Sequence, residues 1–156
     1  MYSSIVVGTD GSDTAGVAVA HATDLASRFG ATLHVVHAYR AVSAGDVVAA
    51  SSGGVVMPDL VSVNEGIKAT SEAVLQRTVH QAETAGVKVQ THAVSGDPAD
   101  ALIMTAEEVD ADLIVVGNRG MSGVKRFVLG SVPNKVSHHC PCSVLIVNTA
   151  TGAGAE

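Results

Sequence analysis

Leu113-Ile114-Val115-Val116-Gly117-Asn118-Arg119-Gly120, followed after nine further residues by Gly130-Ser131, is the stretch that decides the fold. The aliphatic run is too short for a helix and does not alternate with polar residues. That is the pattern of a strand buried on both faces, and such strands belong to parallel sheets covered by helices. Gly117 lets the backbone turn at the carboxyl end of the strand without placing a side chain over that end. Three glycines and a hydroxyl between the strand and a helix start form either a nest of backbone N–H groups suited to phosphate or simply a good turn. Ligands of open α/β sheets bind at this end of the strands.

A second junction of the same kind lies near the start of the chain. Ile5-Val6-Val7 is a short β-branched strand that runs into Gly8-Thr9-Asp10-Gly11-Ser12-Asp13, just ahead of a helical pattern. Ser12 or Asp13 is suited to cap that helix. Asp10, at the strand tip, either caps a turn or accepts a hydrogen bond from a ribose hydroxyl and holds Mg²⁺ bridging to phosphates.

Helix and strand patterns alternate along the rest of the chain. Ala15, Ala18, Val19, Ala22, Leu25, Ala26 and Phe29 recur at three- and four-residue steps and stop at Gly30, as in a helix buried along one stripe and ended by glycine. Thr32 to His37 reads as the second strand. Val87 to His92 reads as the third, less buried because its polar positions alternate, and Ser143 to Asn148 as the last. Leu60, Val63, Ile67, Val74, Leu75 and Ala82 trace a long amphipathic helix ending near Ala85-Gly86. Asp97-Pro98 opens another, with Ala99, Leu102, Ile103, Ala106 and Val109 on its inner stripe. A final helix runs from Ser131 through His138. Tyr39 to Asp59 shows no period and is long for a connection, so it reads as a loop, either a lid or a segment ordered on assembly.

Five strands, four principal helices and ligand-type loops after strands one and four follow from this pattern. Those two loops meet in one place only if strands one and four are neighbours where the strand order reverses. The order 3-2-1-4-5 with right-handed crossovers meets that condition. The expected fold is an open five-stranded parallel sheet with helices on both faces, Rossmann-like, over residues 1–148, with 149–156 as a disordered tail.

Composition narrows the function. A net charge of -6 with 9 Lys and Arg argues against a nucleic-acid surface, which needs a concentrated basic stripe. No apolar run is long enough to span a membrane, and the start Met-Tyr-Ser-Ser-Ile lacks the pattern of a secretion signal, so a cytoplasmic protein without a membrane partner is expected. Cys140 and Cys142 are too close for a structural disulfide and too few for a four-ligand zinc site. His34 and His37, three apart on a strand, point to opposite faces and make no ligand pair. His21, His80 and His92 are expected to face solvent or satisfy local bonds.

The residues at the two junctions resemble the universal stress protein family, in its nucleotide-binding branch. Gly117, two residues, Gly120, nine residues, Gly130-Ser131 matches that branch's signature without a gap, and Val6 to Ser12 looks like its first strand and loop. The likeness in element order covers residues 3–148. It implies an adenine-nucleotide-binding stress-response protein that takes ATP with Mg²⁺ or Mn²⁺, or else AMP or cyclic AMP. Asp10 would lie by the ribose and metal, with Gly8 and Thr9 beside it, and the backbone of Val35 would face the adenine. Gly117, Asn118 and Gly120 would line ribose and phosphates, while Gly130, Ser131 and Val132 would offer N–H and hydroxyl donors to the phosphate chain. Arg119 and Arg126 lie outside the core pattern and are candidate phosphate contacts only. The resemblance also implies a homodimer through the last strand.

No Gly-x-x-x-x-Gly-Lys-Ser/Thr loop and no Gly-x-Gly-x-x-Gly is present, so neither a P-loop NTPase nor a dinucleotide dehydrogenase is indicated. Binding without efficient turnover is the expectation. The alternatives are a slow Mg-dependent ATPase or phosphotransfer protein, and a nucleotide-free dimeric signalling scaffold.

Overall fold

The computed structural model describes residues 1–50, 58–118 and 129–149. In chain order the elements are β1 (Ser4–Gly8), α1 (Asp13–Phe29), β2 (Thr32–Tyr39), α2 (Ala44–Ala50), α3 (Leu60–Glu83), β3 (Val89–Ser95), α4 (Pro98–Glu108), β4 (Leu113–Gly117), α5 (Ser131–His139) and β5 (Ser143–Val147). The strands form a five-stranded sheet in the order β3-β2-β1-β4-β5, and every pairing is parallel. β1 and β4 are neighbours, with Ile5 opposite Leu113 and Val7 opposite Val115. Their carboxyl-end loops therefore leave the sheet side by side, as the sequence reading requires.

The β-branched runs bury both faces of the central strands. Ile5, Val7, Leu33, Val35, Leu113 and Val115 point to one side and pack with Ala18, Val19, Ala22 and Ala26 of α1 and Leu75 of α3. Val6, Val36, Ile114 and Val116 point to the other and meet Ala99, Leu102 and Ala106 of α4 and Val136 of α5. Burying each large aliphatic is worth about 1.5–3 kcal/mol, and the alanines along α1 let it sit close to the sheet. α1 ends at Gly30, whose φ of 67° closes the helix in the left-handed region.

Three expectations change. Tyr39 to Asp59 is not wholly irregular, because residues 44–50 form α2. That helix buries none of its residues and so leaves no apolar period to read; Asp46, which accepts from the N–H and hydroxyl of Ser43, holds its first turn. Val63 does not lie on the inner face of α3 but is exposed, because the first half of this helix overhangs the sheet. Thr149, assigned to the tail, is buried and hydrogen-bonded to Asn118. The rest of the tail, residues 150–156, lies outside the described residues.

Candidate functional site

β1 and β4 end in a cavity of about 510 Å³, within the range of small-molecule sites. Its walls are Gly8, Thr9, Asp10 and Ala15 on one side, Gly117 and Gly130 to Pro133 opposite, Val36, His37 and Ala38 at the end of β2, and Pro98, Leu102 and Val116 behind. Strand order brings these segments together from both ends of the chain.

The first wall is held by its own hydrogen bonds. Thr9 N–H donates to Val36 C=O at 2.9 Å, which ties the loop to the end of β2. Thr9 Oγ1 accepts from Gly11 N–H at 3.2 Å. Asp10 Oδ1 accepts from the N–H and hydroxyl of Ser12, and Ser12 Oγ in turn accepts from Ala15 N–H, making Ser12 the cap of α1. Gly11 makes this turn possible: its φ is 78°, and a Cβ there would lie 3.2 Å from Val74 Cγ1. Asp10 is exposed, with Oδ2 left without a hydrogen bond among the described residues.

The opposite wall is the start of α5. Gly130 occupies the cap position without a side chain, its N–H donating to Asn118 C=O at 3.1 Å. Pro133 has no N–H to offer, so the donors of the first turn left without a partner among the described residues are Ser131 and Val132 N–H, with no side-chain cap bonded to them. Two free amides at the positive end of a helix dipole attract an anion.

Asn118 plays a different part from the one its position suggested. Its Nδ2 donates to Asn148 Oδ1 at 3.2 Å, and its Oδ1 accepts from Thr149 N–H and Oγ1 at 2.9 and 3.0 Å. The side chain thus fastens the end of β5 to the end of β4 and is not part of the cavity wall. Val35 also lies outside that wall: it is fully buried against α1 and α3, and β2 contributes Val36, His37 and Ala38 instead. Arg119, Gly120, Lys125 and Arg126 lie outside the described residues.

His37, set aside in the sequence reading, lines the cavity with Nδ1 2.6 Å from Ser71 Oγ on α3. Burial pushes its pKa below the usual histidine value, while the Asp10 carboxylate pulls it up. His34 and His92 are not separate surface groups but partners across β2 and β3, 3.1 Å apart, both lowered first by burial.

A larger groove of about 820 Å³ runs between α1 and α3. Its two buried threonines, Thr23 and Thr78, already donate their hydroxyls to Val19 and Val74 C=O within their own helices. The smaller cavity, lined by Thr9, Asp10, His37 and Ser131, is the one at the carboxyl ends of the strands. Among the described residues no three of His, Cys, Asp and Glu gather as a metal set. Asp10 fits a Mg²⁺ or Mn²⁺ ion held mainly by phosphate oxygens and water.

The universal stress protein family profile matches residues 1–148. The chain belongs to the universal stress protein family. It is 36% identical over 151 residues to the universal stress protein YxiE of Bacillus subtilis, covering 94% of this chain and 99% of that one. A crystal structure of a universal stress protein in complex with cAMP superposes with a TM-score of 0.71 at 35% identity, covering 96% of this chain and 98% of the other. The universal stress protein UspA of Lactobacillus plantarum shares the fold, with a TM-score of 0.75 at 23% identity over 94% of this chain and 98% of that one. The chain is an α/β unit with a five-stranded parallel sheet, the fold it shares with these structures. No helix among the described residues is long and apolar enough to cross a membrane.

Proposed function

We propose that this universal stress protein binds an adenine nucleotide in the cavity between β1 and β4 and acts through occupancy rather than turnover. The observation that carries this reading is the uncapped start of α5. Ser131 and Val132 N–H open toward a cavity whose opposite wall carries Asp10. Phosphates would take the two amides, and Asp10 would take a ribose hydroxyl or a Mg²⁺ or Mn²⁺ ion bridging to the phosphates. The base would lie toward Val36 and Ala38, on an apolar surface continued by Leu102 and Val116. The similarity to a relative in complex with cAMP supports an adenine ligand. Gly8, Thr9 and Gly117 shape the walls without crowding them, and Gly120 and Arg119 would complete the phosphate side.

The same reading assigns the exposed edge of β5 to a homodimer. Among the described residues β5 pairs only with β4, and Ile146 is exposed on it. An open edge strand of this kind invites a second strand.

Calorimetric titration of nucleotide-stripped protein with ATP plus Mg²⁺, AMP and cyclic AMP tests the assignment. Binding of at least one, weakened when the first turn of α5 is altered, is the expected result. No heat from any of them, with no shift in thermal unfolding, would leave the dimeric scaffold as the better reading.

A further inference from the structure

His37 and Asp10 both line the cavity, and each has an atom left over. Asp10 spends Oδ1 on Ser12 and keeps Oδ2 free among the described residues. His37 spends Nδ1 on Ser71, whose side chain is 1% exposed, and keeps Nε2 without a hydrogen-bond partner among the described residues. Ser71 lies in the middle of α3, so the ring is fixed from behind by a buried hydroxyl. The Asp10 carboxylate acts on the imidazole electrostatically, raising its pKa against the larger, lowering effect of burial.

We propose that His37, held by Ser71, acts with Asp10 to read a ribose hydroxyl, so that the cavity selects ribonucleotides over their deoxy counterparts. This rests on the nucleotide reading above and names the sugar as the part of the ligand these side chains recognise. The hydrogen-bond inventory explains the match. If Ser71 Oγ–H donates to Nδ1, then Nε2 carries the proton and donates into the cavity; if Nδ1–H donates to Ser71, Nε2 accepts. Only the first arrangement serves both side chains at once: the hydroxyl accepts from Nε2–H and gives its single proton to the Asp10 carboxylate. Burial keeps the imidazole neutral near pH 7. Removing the hydroxyl would leave a half-buried ring nitrogen and a carboxylate oxygen short of a partner, which is how a polar site rejects a deoxy analogue.

Affinities for ATP, 2′-deoxy-ATP and 3′-deoxy-ATP, each with Mg²⁺, are measured by calorimetry on the wild type and on His37→Leu and Ser71→Ala, with thermal unfolding as the folding control. The wild type is expected to bind one deoxy form about ten-fold more weakly than ATP. His37→Leu should bring the two affinities together, chiefly by weakening ATP. Ser71→Ala should reduce the ratio while leaving the cavity wall in place. A role confined to packing would weaken all three ligands alike and leave the ratio unchanged. Equal binding of ATP and both deoxy forms by the wild type, or an undiminished ratio in a folded His37→Leu, overturns the proposal while the nucleotide assignment stands. Absence of ATP binding in the wild type overturns both.

Discussion

Helices α4 and α5 begin at the same end of the sheet and pack on the same face, but one start is closed and the other open. Asp97 caps α4, its Oδ1 accepting from Ala99 and Asp100 N–H at 3.0 and 3.1 Å, with Pro98 filling a position that has no N–H to satisfy. Lys135 of α5 reaches across to Asp97 and Asp100 at 3.2 and 2.7 Å, adding a cation to that end. α5 has Gly130 where α4 has Asp97, and no side chain takes its amides. A carboxylate cap brings its own negative charge and stabilises a helix by about 1 kcal/mol. A glycine is a cap weaker by only about 0.3 kcal/mol, and it leaves the charge to be supplied from outside. On the proposed function, the closed start is structural and the open one is kept for a ligand.

Giving α5 the cap that α4 has should erase the difference. Gly130→Asp has a permissive backbone, φ -59°, and ordinary contacts for its Cβ at 3.4 Å from Asn118 O. Its carboxylate would take the open amides and repel phosphate, so ATP affinity should fall by about 100-fold or more by calorimetry. Stability should hold or rise by about 0.3 kcal/mol. A folded Gly130→Asp that binds ATP normally would remove the phosphate from this helix.

α1 adds a third start, closed by Ser12 through a turn that needs a left-handed residue. Gly11→Ala should cost about 1–2 kcal/mol in urea unfolding, from backbone strain and the push against Val74. Nucleotide binding should weaken with it, because Asp10 rides on the same turn.

Removing the cap from the closed start sharpens the contrast from the other side. Asp97→Ala should lower stability by about 1 kcal/mol while ATP affinity is unchanged, as read by parallel unfolding and calorimetry. A loss of affinity equal to that of Gly130→Asp would show that the two starts are not functionally distinct.

The smallest expected effect is on acid stability. Asp97 titrates below the usual carboxylate range, chiefly because Asp100 N–H donates to it, with Lys135 helping and burial opposing. A depressed folded-state pKa stabilises the fold fully above about pH 4, and the gain is lost as pH falls through the folded value. Urea unfolding followed downward from about pH 5 should therefore show a smaller acid loss in Asp97→Asn than in the wild type. Asp112, lowered first by the Ser3 hydroxyl and then by Ser3 and Ser4 N–H, follows the same sign.

The sheet was legible in the sequence because each buried strand is a run of β-branched and aliphatic residues and several connections have glycine at a turn, as at Gly11, Gly30, Gly86 and Gly96. The pair Gly130-Ser131 could be read as a nest or as a turn; what the structure adds is its place at the start of α5 in the wall of the cavity. The contribution of β2 was not legible. Which of Val35 to Ala38 reaches the cavity depends on the pleat and on where Thr9 N–H meets Val36 C=O. Nor could the sequence assign Asn118, since an amide at a strand tip serves a ligand or a neighbouring chain end equally well. Its partners Asn148 and Thr149 lie about thirty residues away and are brought close only by the β4–β5 register. His37 went unnoticed because its role depends on Ser71, a small residue without a signature of its own.

The walls of the cavity also have a history in time. Gly8 to Asp10 leave a ribosome first, whereas Gly130 to Val132 emerge after most of the chain has been made. β1 can find β4 only once Leu113 to Gly117 are available, so the centre of the sheet waits for late synthesis. At about 5–20 residues per second, that wait lasts several seconds. No ligand can guide the early steps, because half its contacts do not yet exist. A molecule that binds the finished cavity stabilises by mass action only chains in which both junctions have been made.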